Sequence, residues 1–275
     1  MATSLLNMSI SLDVFDHFLT VCHILLTTYI FMYIFAVIVY IPVLWRKRSC
    51  VSKPKDNATV LFVTAHPDDE CMFFAPAILG IGAISSVLCF TTGNYDQKGD
   101  LRKKEILTSC SVLGVSPAHV TVLDIRSLPD NPKVKWDRQT VCNEILRYCQ
   151  KHRVTQIYTF DGYGVSGHSN HRELYNAVRH LKIDRKELND IECYSLQSVN
   201  LLRKYTSLID LPYSLYTADT IFVSSPYQVL TAQRAMHAHW SQFVWFRILF
   251  IFFSRYLIIN TFTKINFYTH CNKNM

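Results

Sequence analysis

The chain of 275 residues contains no CxxC pair, although it holds nine cysteines. Cys71, Cys110, Cys142 and Cys149 are scattered through apparent strands and helices, so they read as reduced core residues rather than a disulfide framework. No GxGxxG follows the first strand pattern, which removes the usual cradle for a dinucleotide cofactor. Internal repeats and low-complexity tracts are also missing, and the length suits one sizeable domain plus a membrane segment. No nucleic-acid motif accompanies the formal net charge of +7, and the basic residues gather at the flanks of an apolar segment. An anionic lipid surface is therefore the expected partner, and a nucleic acid is not.

Charge is absent from Ile24 to Trp45, a run of 22 residues. At about 1.5 Å per residue it spans roughly 33 Å, enough to cross a bilayer. Tyr40 and Trp45 suit the interfacial belt. The run is too long for a signal-peptide core, lacks a basic start and ends without a small-residue cleavage site, so it reads as an uncleaved anchor over residues 18–45. Asp13 and Asp16 precede it, in a short lumenal terminus of residues 1–17. Arg46, Lys47, Arg48, Lys53 and Lys55 follow it, in a basic linker over 46–57 that includes Ser52–Asn57. By the positive-inside rule the rest of the chain is expected in the cytosol, where the sequon Asn57-Ala58-Thr59 stays unmodified.

What the sequence does hold is concentrated in two short segments. The first, Thr64-Ala65-His66-Pro67-Asp68-Asp69-Glu70, follows the strand-like Val60–Val63 and opens a helical pattern. That places imidazole and carboxylate ligands at the C-terminal end of a strand, with an adjacent carboxylate free to act as a base. Taken alone, the segment also fits a capped helix start, with Pro67 and acids in the first turn. The second segment runs Asp161-Gly162-Tyr163-Gly164-Val165-Ser166-Gly167-His168-Ser169-Asn170-His171, again between a strand pattern and a helix. His168 and His171, three apart, can face one point. His66, Asp69 and one of these histidines would complete a three-ligand hydrolase site with a position left for water. Two such strand–loop–helix clusters in one chain argue against coincidence.

These motifs resemble the LmbE-like zinc deacetylases, and within them the N-acetylglucosaminylphosphatidylinositol de-N-acetylases. Supporting blocks are Thr91–Asn94 with Gly99–Glu105, and Ala235–Gln242 with Trp245–Arg247. The similarity covers roughly residues 58 to 262. It implies His66, Asp69 and His171 as ligands of Zn2+ or another divalent metal. Asp68 would be the general base, and His168 would stabilise or protonate the tetrahedral intermediate. Arg102 matches a position that touches the sugar, and Glu70 reads as a first-turn helix acid. Asp124 and Asp130 are within reach of the same mouth and are assigned no role. The resemblance further implies a phosphatidylinositol glycolipid substrate and the second step of GPI-anchor synthesis at the endoplasmic reticulum membrane. Protein partners are left unnamed. The alternatives are deacetylation of another acetylated amino sugar, and a non-catalytic membrane adaptor.

The fold class follows from alternation. Strands are expected at Thr59–Thr64, Ser86–Thr92, Val120–Ile125, Thr155–Phe160, Glu192–Val199 and Thr220–Val223. Helices are expected at Glu70–Leu79, Leu101–Leu113, Trp136–Lys151 and Arg172–Leu181. This predicts an α/β, Rossmann-like three-layer arrangement with a mostly parallel sheet, a deacetylase domain over 58–242, and one N-terminal transmembrane helix. The apolar stretch Phe243–Phe267, within a C-terminal segment 243–275, is interrupted by Arg247, Arg255 and Lys264, which disfavours a second crossing. It is expected either along the membrane surface, its basic groups toward lipid phosphates, or as a helix on the domain core.

Overall fold

Val60, Leu61, Phe62 and Val63 are all fully buried, the continuous apolar run of a strand covered on both faces. They form β1 (Thr59–Thr64) at the centre of a seven-stranded sheet. The computed structural model describes residues 2–45, 59–82 and 84–266. The basic flank from Arg46 to Lys55, the linker Ser52–Asn57 and most of the sequon lie outside the described residues.

From β1 the chain passes through two short helices, α2 (Asp69–Phe73) and α3 (Ala75–Ile81), to β2 (Ser85–Cys89), α4 (Gly99–Val112) and β3 (Val120–Val122). It then crosses by α5 (Arg138–Lys151) to β4 (Val154–Phe160) on the other side of β1. A kinked turn, α6 (Gly164–Gly167), and α7 (Ser169–Arg179) lead to β5 (Glu192–Leu196). The remaining elements are α8 (Leu201–Lys204), α9 (Leu211–Thr217), β6 (Thr220–Val223), α10 (Pro226–Ala238), α11 (Trp245–Phe253) and β7 (Ile259–Lys264). Strand order is β3-β2-β1-β4-β5-β7-β6, with β1 to β5 parallel and β7 antiparallel to both its neighbours. Right-handed crossovers running outward in opposite directions from β1 and β4 place α2–α4 on one face and α5 with α7 on the other. The packing of α4 on α10, and of α5 on α7, follows that division.

Several boundaries differ from the sequence pattern for local reasons. The helix expected over 70–79 is two helices, broken at Phe74, because Pro76 lacks an N–H and begins a new helix. Helix α5 starts after Trp136, where the Asp137 carboxylate accepts from Thr140 N at 2.8 Å and caps it.

The largest difference lies in the C-terminal apolar stretch. It divides into α11 and β7, and β7 is inserted between β5 and β6. A continuous apolar run does not by itself distinguish helix from buried strand, and here Ser254 and the short helical turn Arg255–Leu257 separate the two. The expectation that the basic groups of this stretch face lipid phosphates fails for two of them. Arg255 is fully buried and stands 3.0 Å from Asp210, while Arg247 pairs with Asp68.

Helix α1 (Ala2–Trp45) includes a 29-residue span, His17–Trp45, that contains an 18-residue window with mean hydropathy 2.4. By length and composition it can cross a bilayer. Most of its described side chains face outward, and its contact with the domain is local. Ala36 packs with Leu208, Leu211, Ile221 and Ile259, and the Tyr40 hydroxyl donates to Ser224 O at 2.5 Å.

Candidate active site

Strands β1 and β4 are neighbours at the point where strand order reverses, so the loops leaving their C-terminal ends diverge and open a crevice. Both motif segments lie there. In the first, Asp69 is buried and its Oδ2 accepts from the backbone N–H groups of Ala65 and His66, each at 2.9 Å. Burial opposes its charge. The facing His171, together with His66, outweighs that and holds the carboxyl well below the usual carboxylate range.

Asp68 has φ 119°, in the positive-φ region that a non-glycine residue occupies only under strong constraint. Three groups hold it. Its N–H donates to Glu70 Oε2 at 2.9 Å, and its Oδ2 accepts from Arg102 Nη2 at 3.2 Å and from Arg247 Nη2 at 2.5 Å. Arg102 is itself buried, donating to Pro67 O at 2.6 Å and Gly93 O at 3.0 Å. A Cβ on Gly93 would fall 2.5 Å from that guanidinium, so only glycine lets it through.

The second loop is built around Asp161, whose Oδ1 accepts from Gly164 N at 2.9 Å and from the Ser198 hydroxyl at 2.6 Å. Gly164 has φ +70°, and a Cβ there would meet His171 Cβ at 2.9 Å. The next residue, Val165, also has positive φ, 63°, and its N–H donates to Ser198 Oγ at 2.8 Å. These constraints present His171, whose ring lies parallel on Phe160 with centroids 3.8 Å apart.

His171 Nδ1 faces Gly164 O at 3.1 Å. A carbonyl only accepts, so this contact assigns a hydrogen to Nδ1 and leaves Nε2 as the ring atom that faces inward. That buried Nε2 has no hydrogen-bond partner, yet it stands 3.2 Å from Asp69 Oδ1. Two such atoms held that close share a cation, either a proton on Nε2 or a metal ion that takes its place. The rings of His66, His168 and His171 surround the same point, with centroids 4.7, 4.8 and 5.3 Å apart. Nitrogen atoms of the three lie within 4.8 Å of one another. His66 Nε2 stands 3.2 Å from Asp130 Oδ1, which leaves Nδ1, 3.7 Å from Asp69 Oδ2, toward the donor set. The residues therefore fit a divalent metal.

Titration follows the same geometry. Burial disfavours a charge on His66, but the hydrogen bond to Asp130 and the charges of Asp69, Asp130 and Asp68 raise its pKa. For His168 the charges of Asp69 and Asp130 are outweighed. Burial, then the neighbouring His66 and His171, push it down to about 4, and its buried Nδ1 has no hydrogen-bond partner. It rests neutral at neutral pH.

A second group, Glu70, Cys71 and His239, also brings three donor atoms together, but it is a hydrogen-bond hub. Glu70 Oε1 accepts from Ser109 at 2.6 Å and from His239 Nε2 at 2.7 Å, while the Cys71 thiol is pushed far up by burial and donates to Asp68 O. Glu70 is thus more than a first-turn acid, because it fixes the backbone of Asp68.

Sequence reasoning left Asp130 without a role, gave none to Asn170, and read Arg247 as a lipid-facing charge rather than a partner of Asp68. Asn170 sits inside the second motif, its amide 3.1 Å from His66 Nε2. Arg247 is the one charge in the apolar α11, a signal for a paired and buried group. Asp124 is exposed.

Residues 61–182 match the family model described as GlcNAc-PI de-N-acetylase. The chain is 47% identical over 212 residues to the N-acetylglucosaminyl-phosphatidylinositol de-N-acetylase of Bos taurus, covering 76% of this chain and 84% of that protein. It is 33% identical over 257 residues to the probable enzyme of the same name from Dictyostelium discoideum, covering 79% and 99%. In fold it is similar to the N,N'-diacetylchitobiose deacetylase of Pyrococcus horikoshii, with TM-score 0.54, 16% identity, and coverage of 82% of this chain and 91% of that one.

Proposed function

The chain belongs to the GlcNAc-PI de-N-acetylase family, and from that premise we propose that it is a zinc enzyme converting N-acetylglucosaminyl-phosphatidylinositol to glucosaminyl-phosphatidylinositol, the second step of GPI-anchor synthesis. The observation that carries this reading is the pairing of a cation-demanding His171–Asp69 contact with a separate, constrained carboxylate, Asp68, beside it.

His66, Asp69 and His171 would hold the metal. When bound, it polarises the acetamide carbonyl and acidifies a water at the site. Asp68 takes the water's proton through Oδ1, since Oδ2 is occupied by Arg102 and Arg247. Its constraint fixes the direction of proton transfer, which is what general-base catalysis requires. His168, neutral at rest, donates a hydrogen bond to the acetamide oxygen as negative charge develops there. An amine is a poor leaving group, so the proton removed from water must reach the sugar nitrogen before the C–N bond breaks. Arg102 orients Asp68 and lines the sugar side of the mouth.

Helix α1 would anchor the enzyme by a single pass in the endoplasmic reticulum membrane with the domain cytosolic, as the flanking charges suggest. The test is acetate release by membranes carrying the full chain, offered the glycolipid and, separately, a soluble N-acetylated amino sugar. Release from the glycolipid is expected. Release from the soluble sugar alone would transfer the chemistry to a different substrate, and silence on both would remove the enzymatic reading.

A further inference from the structure

Helix α11 is apolar on both faces. Phe250 and Ile251 point into the core, and Arg247 turns inward to Asp68. The opposite face carries Trp245, Phe246, Ile248, Leu249, Phe252 and Phe253, each between 45% and 72% exposed. A nine-residue helix with six large apolar side chains in water is unusual for a soluble surface, and such patches mark an interaction site.

What covers it is indicated by its neighbours. Lys204 of α8 lies 5.7 Å from the Phe250 ring centroid, so α8 and α11 are adjacent, and α8 presents Leu201 and Leu202 at 73% and 79% exposure. Helix α8 in turn packs against Ser207–Asp210, whose Leu208 touches Ala36 of the span in α1. Through Leu208, buried against Ala36, α8 is thus packed beside the helix able to cross a bilayer. It also adjoins the site: a cavity of about 490 Å³ lies between the catalytic loop and α8, lined by Tyr163, Val165, Leu201 and Lys204.

We propose that the outer face of α11, together with the tip of α8, docks into the headgroup–acyl boundary of the bilayer crossed by α1, so that the catalytic mouth opens at the lipid surface. This rests on the glycolipid reading of the site. An interfacial helix needs an apolar face and nearby cations at headgroup level. Trp245 and Lys204 supply the two. The arrangement lets a membrane-held sugar reach the metal site without its lipid leaving the bilayer.

The test uses the full chain reconstituted in phosphatidylcholine vesicles with brominated acyl chains, which quench tryptophan on contact. A quenched component that Trp245→Phe removes is expected, whereas unchanged quenching in that variant would overturn the proposal. So would burial of Trp245 against a second copy or another protein, which leaves it unquenched by lipid. A second variant, Leu249→Asp with Phe252→Asp, should lower turnover of bilayer-embedded glycolipid at least tenfold while leaving an acyl-free soluble analogue unaffected. Equal turnover of the embedded substrate would contradict docking. Because quenching needs no substrate, a chain inactive on the glycolipid but with Trp245 quenched would fail the functional reading and keep the docking surface.

Discussion

The loops after β1 and β4 both deliver ligands into one crevice, yet they are braced by different means. In the first, acidic side chains do the bracing: Asp69 accepts from two backbone N–H groups, and Glu70 accepts from Asp68 N while paired with Ser109 and His239. In the second, a single acid, Asp161, does part of it, and two successive residues at positive φ, Gly164 and Val165, tied to Asp161 and Ser198, do the rest. The consequence differs too. Every carboxylate of the first loop has its position fixed from more than one side, which suits ligand and base. The second loop fixes His171 by Gly164 O and Phe160 but leaves His168 Nδ1 unpartnered, which suits a ring that changes its proton during turnover.

Breaking the first loop at its base should have the largest effect. Asp68→Asn keeps size and backbone but cannot take a proton, and turnover should fall by about 10²–10⁴-fold, the range for a lost general base. Steady-state acetate release measures it. Next is Glu70→Ala, which leaves His239 buried without its counter-charge. Removing one partner of a buried pair costs about 3–5 kcal/mol, read as a lower denaturation midpoint of the detergent-solubilised chain. In the second loop, Gly164→Ala places a methyl against His171 in a left-handed backbone, and a loss of about 1–3 kcal/mol is expected by the same measurement.

The smallest effect sharpens the contrast by pH. Burial opposes a charge on His239, but the charge and hydrogen bond of Glu70 raise its pKa above the usual histidine value. Its contribution to stability is therefore complete below about pH 6.5, the unfolded value, and is lost as pH rises through the raised folded value. The melting-temperature advantage of wild type over His239→Gln should shrink steadily from pH 6 toward alkaline pH. A constant difference would show that the pair contributes no charge interaction.

The site's two halves were legible because each is local. Ligand types sit within a few residues of each other, directly after a strand pattern, so His66, Asp68 and Asp69, and likewise His168 and His171, needed no knowledge of distant contacts to be associated. What was not legible comes from far along the chain. Arg247 reaches Asp68 across 179 positions and His239 reaches Glu70 across 169, and no local periodicity records such pairings. The strand β7 was hidden because its apolar residues continue those of α11, and length alone could not divide the run. By contrast, the break at Phe74 was signalled by Pro76, a stop that helical spacing had masked.

The most direct test measures metal content and acetate release on the same preparations of wild type, Asp68→Asn and His171→Ala, each stripped by chelator and resupplied with zinc. The expected result is that Asp68→Asn regains metal at wild-type stoichiometry but not turnover, while His171→Ala regains neither. Asp68→Asn with wild-type turnover, or His171→Ala with undiminished metal binding, would contradict the division of the site into a metal cradle and a separate base.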